Sequence, residues 1–349
     1  MTQKEKSPQE RDRPYKDLFH RRALLTSLAA ASLSACAPTV LKANDLGSIA
    51  SFQGPRFEGD KFYSFDGAPL GLSAWLPPAG EPWAVIVGLH GMNDYAETYY
   101  MAGPYWAERG VATYAYDARG HGRSPDRGKW GGDYLLTEDL RTACAVARRL
   151  HPRATLAVVG ESMGAATAAI AFGGANPPDA DRLVLVAPAV WGWSDLPNLY
   201  AAVLWMSAHT FPWRNVTPPR GLKIVVSDNT EMLRRISRDR NMIFETRIDA
   251  LYGLVRLMQE ANEACARLNL PTAFLYGAKD QVIPRPAAER AAARLPRRDR
   301  TLLYPNGYHM LLRDLQAPVV FEDILAFLRD PAAAFPSEAP PLRQVQAIR

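Results

Sequence analysis

The stretch that most constrains this chain is Leu156–Gly164, read as Leu-Ala-Val-Val-Gly-Glu-Ser-Met-Gly. An apolar run stops at Gly160-Glu161-Ser162-Met163-Gly164, and the alanine-rich segment Ala165–Ala171 follows. That order predicts a strand, a sharp turn and a helix. Gly-x-Ser-x-Gly in this setting holds a serine on a strained turn with its Oγ above the end of a sheet. Glycines two before and two after the serine remove Cβ atoms that would collide. A helix beginning at Met163 aims free N–H groups at negative charge developing near Ser162. Ser162 is therefore a candidate nucleophile, provided a base and an orienting acid can be found.

The chain has 349 residues, enough for one large domain with an insertion or for two domains. Its formal charge is +5. Residues 1–35 carry 7 Lys/Arg against 4 Asp/Glu, so the leader holds +3 and the remainder +2. The basic balance is largely the leader's and gives no case for a nucleic-acid partner. Three cysteines cannot make a disulfide framework, and Cys144 and Cys265, in helical segments, read as buried thiols. No Cys/His cluster has metal-ligand spacing and no Gly-x-Gly-x-x-Gly follows a strand, so no metal or organic cofactor is expected.

Residues 1–22 are polar, and Ala23–Ala35 is uncharged and mostly apolar. The latter is too short to cross a bilayer as a stable helix and suits the apolar region of an export signal. It closes in Leu33-Ser34-Ala35-Cys36, which resembles the lipobox of bacterial lipoproteins. The resemblance implies cleavage before Cys36, lipidation of Cys36, export, and membrane anchoring. In a Gram-negative host, Ala37 in place of Asp favours the outer membrane. Arg21-Arg22-Ala23-Leu24-Leu25 also resembles a twin-arginine signal. The plain alternative is an ordinary secretory signal with an incidental cysteine.

Further along, Phe62–Phe65 and Leu70–Leu76 predict a strand pair about Asp66-Gly67. Ala84–Leu89, Val111–Tyr116, Leu156–Gly160, Leu183–Ala187 and Thr272–Tyr276 are apolar runs expected of buried parallel strands. Helical segments such as Thr137–Leu150 alternate with them, so the class is α/β: a mostly parallel, doubly wound sheet. The strand at 84–89 runs into His90-Gly91-Met92-Asn93-Asp94, which makes the backbone N–H groups of Met92 and Met163 the expected oxyanion donors. Asp117, Arg119 and His121 read as structural, with the first two bracing their loop.

Six histidines compete for the role of base. His20 lies in the leader, His90 and His121 in structural loops, His151 at a helix end and His209 in the insertion. His309 follows a strand and the turn Pro305-Asn306-Gly307, late in the chain, and is the expected base. Asp280, just after the strand at 272–276, is the expected orienting acid. The strand at 183–187 ends at Pro188 without a carboxylate, and Asp314 reads as a surface residue. The order Ser162…Asp280…His309 fits the fold that carries such elbows.

With these residues placed, the chain resembles α/β-hydrolase fold serine hydrolases, specifically the monoacylglycerol lipase/lysophospholipase group. The match lies in His90-Gly91 with acidic Asp94, Asp117-x-Arg119-Gly120-His121-Gly122-x-Ser124, Gly160–Gly164, Tyr276-Gly277…Asp280 and His309. It spans roughly residues 60–330. Two departures touch substrate choice: Met92-Asn93-Asp94 where the family commonly has x-Gly-Glu, and Ala165-Ala166 where a further glycine is common.

More than 80 residues separate the strands at 183–187 and 272–276, too many for a plain loop. A helical cap is expected, with helices over Asn198–Ala208 and, with a break, Asn229–Met258. Trp191, Trp193, Tyr200, Trp205, Phe211 and Trp213 fall in it. They either line an acyl pocket or pack the cap's own core. Asp228, Glu231, Arg234, Arg235, Arg238 and Arg240 read as a solvated face.

The expected organisation is a signal peptide at 1–35, a tether at 36–57, core at 58–188, cap at 189–268, core at 269–330 and a disordered tail at 331–349. The expected activity is hydrolysis of carboxylic esters, of the monoacylglycerol or lysophospholipid type by resemblance. Broad carboxylesterase or acyltransferase chemistry is the near alternative. A non-catalytic lipid-binding surface lipoprotein is the distant one.

Overall fold

The computed structural model describes residues 37–48, 52–217, 221, 223–296 and 300–342. The leader, Cys36 and residues 343–349 lie outside the described residues. Within them a nine-stranded sheet runs in the order β1-β2-β3-β5-β4-β6-β7-β10-β11. These strands are Arg56–Glu58, Lys61–Tyr63 and Pro69–Trp75 (β1–β3), then Ala84–Leu89, Val111–Tyr116, Thr155–Glu161 and Arg182–Val186 (β4–β7), then Thr272–Gly277 and Thr301–Tyr304 (β10, β11). The pairs from β5 to β11 are parallel, and β1 to β3 form an antiparallel edge. The continuous apolar runs lie where both sheet faces are covered: β4, β5 and β10 are buried at every position.

Helices cover both faces. On one side α1 (Ala102–Ala107) and α8 (Ala317–Arg329) pack Trp106, Phe321 and Phe327 against Ile86 and Val159. On the other, α2 (Gly132–Leu150), α3 (Met163–Gly173) and α7 (Arg285–Arg294) pack with Leu140, Cys144 and Ala288 against Val85 and Val158. All residues of α3 are buried, which accounts for its lack of a polar face. Its alanines admit another helix, α6 (Ile248–Ala264), which brings Leu257, Met258 and Ala261 into the same cluster. The cap is thus rooted in the core.

The rest of the insertion is α4 (Asn198–Thr210), α5 (Thr230–Ile236) and a two-stranded ribbon of β8 (Asn215–Val216) and β9 (Thr246–Arg247). The break expected within 229–258 separates α5 from α6, and the ribbon's strands are too short to leave a period in the sequence.

Two expectations change. The tether ends earlier than residue 57: Arg56–Glu58 pairs into the sheet, the Leu41 N–H donates to the Trp130 carbonyl at 2.9 Å, and the Asn44 N–H donates to Asp66 at 2.8 Å. The tail expected to be disordered is ordered through Leu342. The Leu303 N–H donates to the Pro340 carbonyl at 2.8 Å, Phe335 stacks on Phe327, and Leu342 is buried. Its proline and alanine content lacks a helical or strand period, so the contacts that fix it could not be read locally.

Candidate active site

Ser162 sits between β6 and α3 at φ 55, ψ −114, a strained conformation for a residue with a side chain. Surrounding bonds hold it there. Its N–H donates to Val186 at 2.9 Å, and its carbonyl accepts from Ala166 at 3.0 Å and Ala189 at 3.1 Å. The flanking glycines are required by space. A Cβ on Gly160 would lie 2.6 Å from the Ala165 nitrogen, and one on Gly164 would strike the Leu89 backbone. Met163 opens α3, where N–H groups lack intrahelical acceptors.

The loop after β4 lies directly against the elbow: a Cβ on Gly91 would sit 3.3 Å from Ser162 Cβ. Gly91, Met92 and Ser162 line one cavity. His90 is a brace. Its Nε2 accepts from the Ala118 N–H at 2.9 Å, its Nδ1 donates to the Gly91 carbonyl at 2.7 Å, and burial lowers its pKa. Tyr99 adds a second brace, its hydroxyl donating to the Val159 carbonyl at 2.6 Å and accepting from the Leu89 N–H at 3.0 Å. These bonds tie the ends of β4 and β6, which are followed by the segments of Met92 and Met163.

His309 Nδ1 lies 2.8 Å from Asp280 Oδ2. The other Asp280 oxygen accepts from the N–H groups of Val282 at 2.7 Å and Ile283 at 3.0 Å, which fixes the carboxylate. With Nδ1–H directed at Asp280, Nε2 is the nitrogen available as a base. Burial works to lower the His309 pKa. The charge and hydrogen bond of Asp280, with Glu161, outweigh it, and the net shift is upward.

The remaining histidines have other surroundings. His121 is buried with its Nδ1 on the Arg119 carbonyl, and burial pushes its pKa down to about 3. His151 meets the Tyr114 hydroxyl at 2.9 Å, and His209 stacks on Trp205. Asp117 accepts from the Ala96 N–H at 2.8 Å and pairs with Arg123. Arg119 forks onto both Asp66 and Asp139 in a buried network. Cys144 and Cys265 are buried free thiols, burial raising the Cys265 pKa to about 12.

Asp314 differs from its expected surface role. It is fully buried, accepting from Ser227 Oγ at 2.6 Å and the Tyr308 N–H at 2.7 Å, and burial raises its pKa to about 6. Arg313, passed over in the sequence, is 2% exposed and joins Asp94 at 2.5 Å and Glu161 at 3.0 Å. The signal for it was a lone guanidinium closing the apolar run Met310-Leu311-Leu312, four residues after His309.

Ser162 and His309 open onto a cavity of about 670 Å³. Its walls are Tyr200, Val203 and Leu204 of α4, the stripe Leu251, Leu254, Val255 and Met258 of α6, and Val282 and Ile283 beside Asp280. Trp191 and Tyr200 line it. Phe211 at 50% exposure, Trp205 at 52% and Trp213 at 54% neither line it nor fill a cap core. The arrangement can carry out acyl transfer: a serine on a strained turn at a helix N-terminus, a histidine oriented by a carboxylate, and an apolar wall for an acyl chain. Among the described residues no His/Cys/Asp/Glu group could hold a metal ion.

Comparison with known proteins places the fold. The family model described as "Serine aminopeptidase, S33" matches residues 80–316. A monoacylglycerol lipase of Mycolicibacterium smegmatis is 28% identical over 274 residues, covering 76% of this chain and 95% of the relative. Among solved structures, a monoacylglycerol lipase of Paleococcus ferrophilus superposes with a TM-score of 0.62 at 21% identity, covering 75% of this chain and 99% of that one. A soluble variant of monoglyceride lipase from Saccharomyces cerevisiae, in complex with a substrate analog, gives a TM-score of 0.67 at 17% identity, covering 81% and 98%. At these identities the two structures speak for the α/β-hydrolase fold.

Proposed function

Since the chain belongs to the serine aminopeptidase (S33) family of α/β-hydrolases, we propose that it is a serine hydrolase of carboxylic esters, of the monoacylglycerol or lysophospholipid type. One observation carries the reading: Ser162 and His309, the latter held by Asp280, open onto a single apolar cavity roofed by α4 and α6. Ser162 Oγ attacks the ester carbonyl as His309 Nε2 takes its proton. The N–H groups of Met92 and Met163 receive the oxyanion. His309 then returns the proton to the leaving alcohol, and water releases the acyl group by the same steps.

The family's description as an aminopeptidase raises a second reading, peptide hydrolysis. A free amino terminus is cationic and needs a carboxylate near the nucleophile. Among the described residues lining the cavity, the carboxylates are Asp94 and Glu161, and both are bound to Arg313. The lining is otherwise mostly apolar, which favours an acyl chain. The name of the Mycolicibacterium smegmatis relative, a monoacylglycerol lipase, points the same way. A panel of short nitrophenyl esters, monoacylglycerols, lysophospholipids and aminoacyl amides tests the choice. Turnover of the long-chain esters is expected, and aminoacyl-amide turnover alone would overturn it. Transfer of the acyl group to glycerol instead of water would identify an acyltransferase. A fluorophosphonate probe should label the wild type and leave Ser162→Ala unlabelled; no labelling of the folded wild type would favour the non-catalytic lipid-binding reading.

Export and anchoring through a lipidated Cys36 belong to the same proposal. They are supported by the lipobox-like Leu33–Cys36, and no described helix is long and apolar enough to cross a membrane by itself. Exposed Leu199, Val203, Trp205 and Met206 on α4 suit an enzyme that takes amphiphiles from a lipid surface. Mass analysis of the mature protein should give a lipidated Cys36 as the first residue. An unmodified Cys36, or retention of residues 1–35, would remove the anchor.

A further inference from the structure

We propose that Arg313 is a positioning residue of this site: its guanidinium, buried between Asp94 and Glu161, fixes the elbow, the loop after β4 and the His309 loop relative to one another. The inference rests on the hydrolytic reading of Ser162, Asp280 and His309.

Each of the three charged residues sits a short step from a reacting group. Glu161 immediately precedes Ser162, Asp94 lies two residues after Met92, and Arg313 lies four residues after His309. One nitrogen, Arg313 Nη2, reaches both carboxylates, Asp94 at 2.5 Å and Glu161 at 3.0 Å. The arginine's own loop is pinned. Its N–H donates to the Met310 carbonyl at 2.8 Å, and its carbonyl accepts from Asn229 Nδ2 at 2.9 Å, at the start of α5. Three segments from distant parts of the chain, 94, 161 and 313, therefore share one charged centre.

Stability alone gives little reason for such a centre. Apolar side chains of the same volume are often as stabilising as a buried ion cluster, because the charges lose their hydration. The cluster is also imperfectly satisfied: Arg313 Nε and Glu161 Oε1 find no partner among the described residues. What a planar guanidinium supplies, and a packed leucine does not, is a fixed direction between the groups it joins. Acyl transfer depends steeply on that direction, since a displacement of about 1 Å can cost on the order of 10²-fold in rate.

After Asp280, the cluster also contributes to the field at His309. The charged groups facing the imidazole are Asp280, Glu161 and Arg313, with Asp94 behind the guanidinium. Asp314, on the same loop, turns its carboxyl to Ser227 and the Tyr308 N–H. Glu161 favours the imidazolium and Arg313 opposes it.

The test uses Arg313→Lys, Glu161→Gln and Asp94→Asn, assayed on a soluble short-chain ester alongside thermal unfolding and fluorophosphonate labelling. Lysine keeps the charge and loses the planar, rigidly held guanidinium that aims Nη2 at both carboxylates. If Arg313 positions the site, Arg313→Lys lowers kcat about 10²-fold and leaves KM within about twofold. The acidic limb of its pH profile stays in place. Glu161→Gln and Asp94→Asn each release one arm and lower kcat by about tenfold. In Glu161→Gln the limb also moves to lower pH, because a carboxylate facing His309 is gone and Arg313 is less opposed. A lower Tm in Arg313→Lys with kcat within about threefold of wild type would overturn the inference. If that variant does not fold, near wild-type kcat in both carboxamide variants overturns it equally. Failure of the wild type to label at Ser162 would instead bring down the hydrolytic reading beneath it.

Discussion

Ser162 carries a backbone conformation that only its neighbours make tenable, so the first predictions belong to single residues. Ser162→Ala is expected to remove fluorophosphonate labelling and lower ester turnover on the order of 10⁶-fold, with the fold intact by circular dichroism. Asp280→Asn should lower kcat by about 10⁴-fold, because the imidazole loses the partner that sets its tautomer. The pH dependence has a defined sign. In the proposed mechanism His309 must be neutral to accept the serine proton, and its pKa lies above the ordinary 6.5. Activity should therefore fall as pH drops through a midpoint above 6.5 in a kcat/KM profile. Gly164→Ala places a methyl against the Leu89 backbone and should destabilise by about 1–3 kcal/mol in a denaturant titration.

At the scale of elements, the parts that position the site are loops clasped by buried charge. Asp314 clasps the His309 loop to Ser227, and burial raises its pKa to about 6. An unfolded aspartate titrates near 3.8. Between these values the folded state binds the proton more tightly, so Asp314 makes stability decline as pH rises from about 4 to about 6. Asp314→Asn should flatten that part of the stability–pH curve, as measured by Tm across the interval. The cap behaves as two parts. Helix α6 is embedded through Leu257 and Ala261, whereas α4 leaves Leu199, Trp205 and Met206 in solvent. A charge introduced at Trp205→Glu should lower activity on vesicle-borne monoacylglycerol severalfold while sparing a soluble short ester.

Across the whole molecule, the tail closes the edge of the sheet. Residues 331–342 lie beside β11 and α8, and a chain ending at Asp330 would lose the Leu303–Pro340 hydrogen bond, the Phe335–Phe327 stack and the burial of Leu342. Exposing this surface should cost about 2–3 kcal/mol and lower Tm by several degrees in a thermal scan. The elbow, the parallel strands, the cap's existence and the candidacies of Ser162, Asp280 and His309 were all legible in the linear chain. Each has a signature in the linear chain: a glycine pair about a serine, an uninterrupted apolar run, a polar residue just past a strand end, or, for the cap, an inter-strand stretch too long for a loop. Asp314 and the tail were not legible, and of Arg313 only its place at the end of an apolar run was, because their partners come from far along the chain. Arg313 lies 219 residues from Asp94 and 152 from Glu161, and no local period marks such a meeting. The cap's aromatic residues were equally ambiguous, since a tryptophan reads the same whether it faces a cavity, a core or solvent. The sequence by itself determined the chemistry available at Ser162, because strand–turn–helix geometry follows from nearest neighbours. Tertiary structure alone decided how the loops at 94, 161 and 313 are locked together and which cap side chains wall the cavity, because burial and charge pairing arise only when distant segments meet.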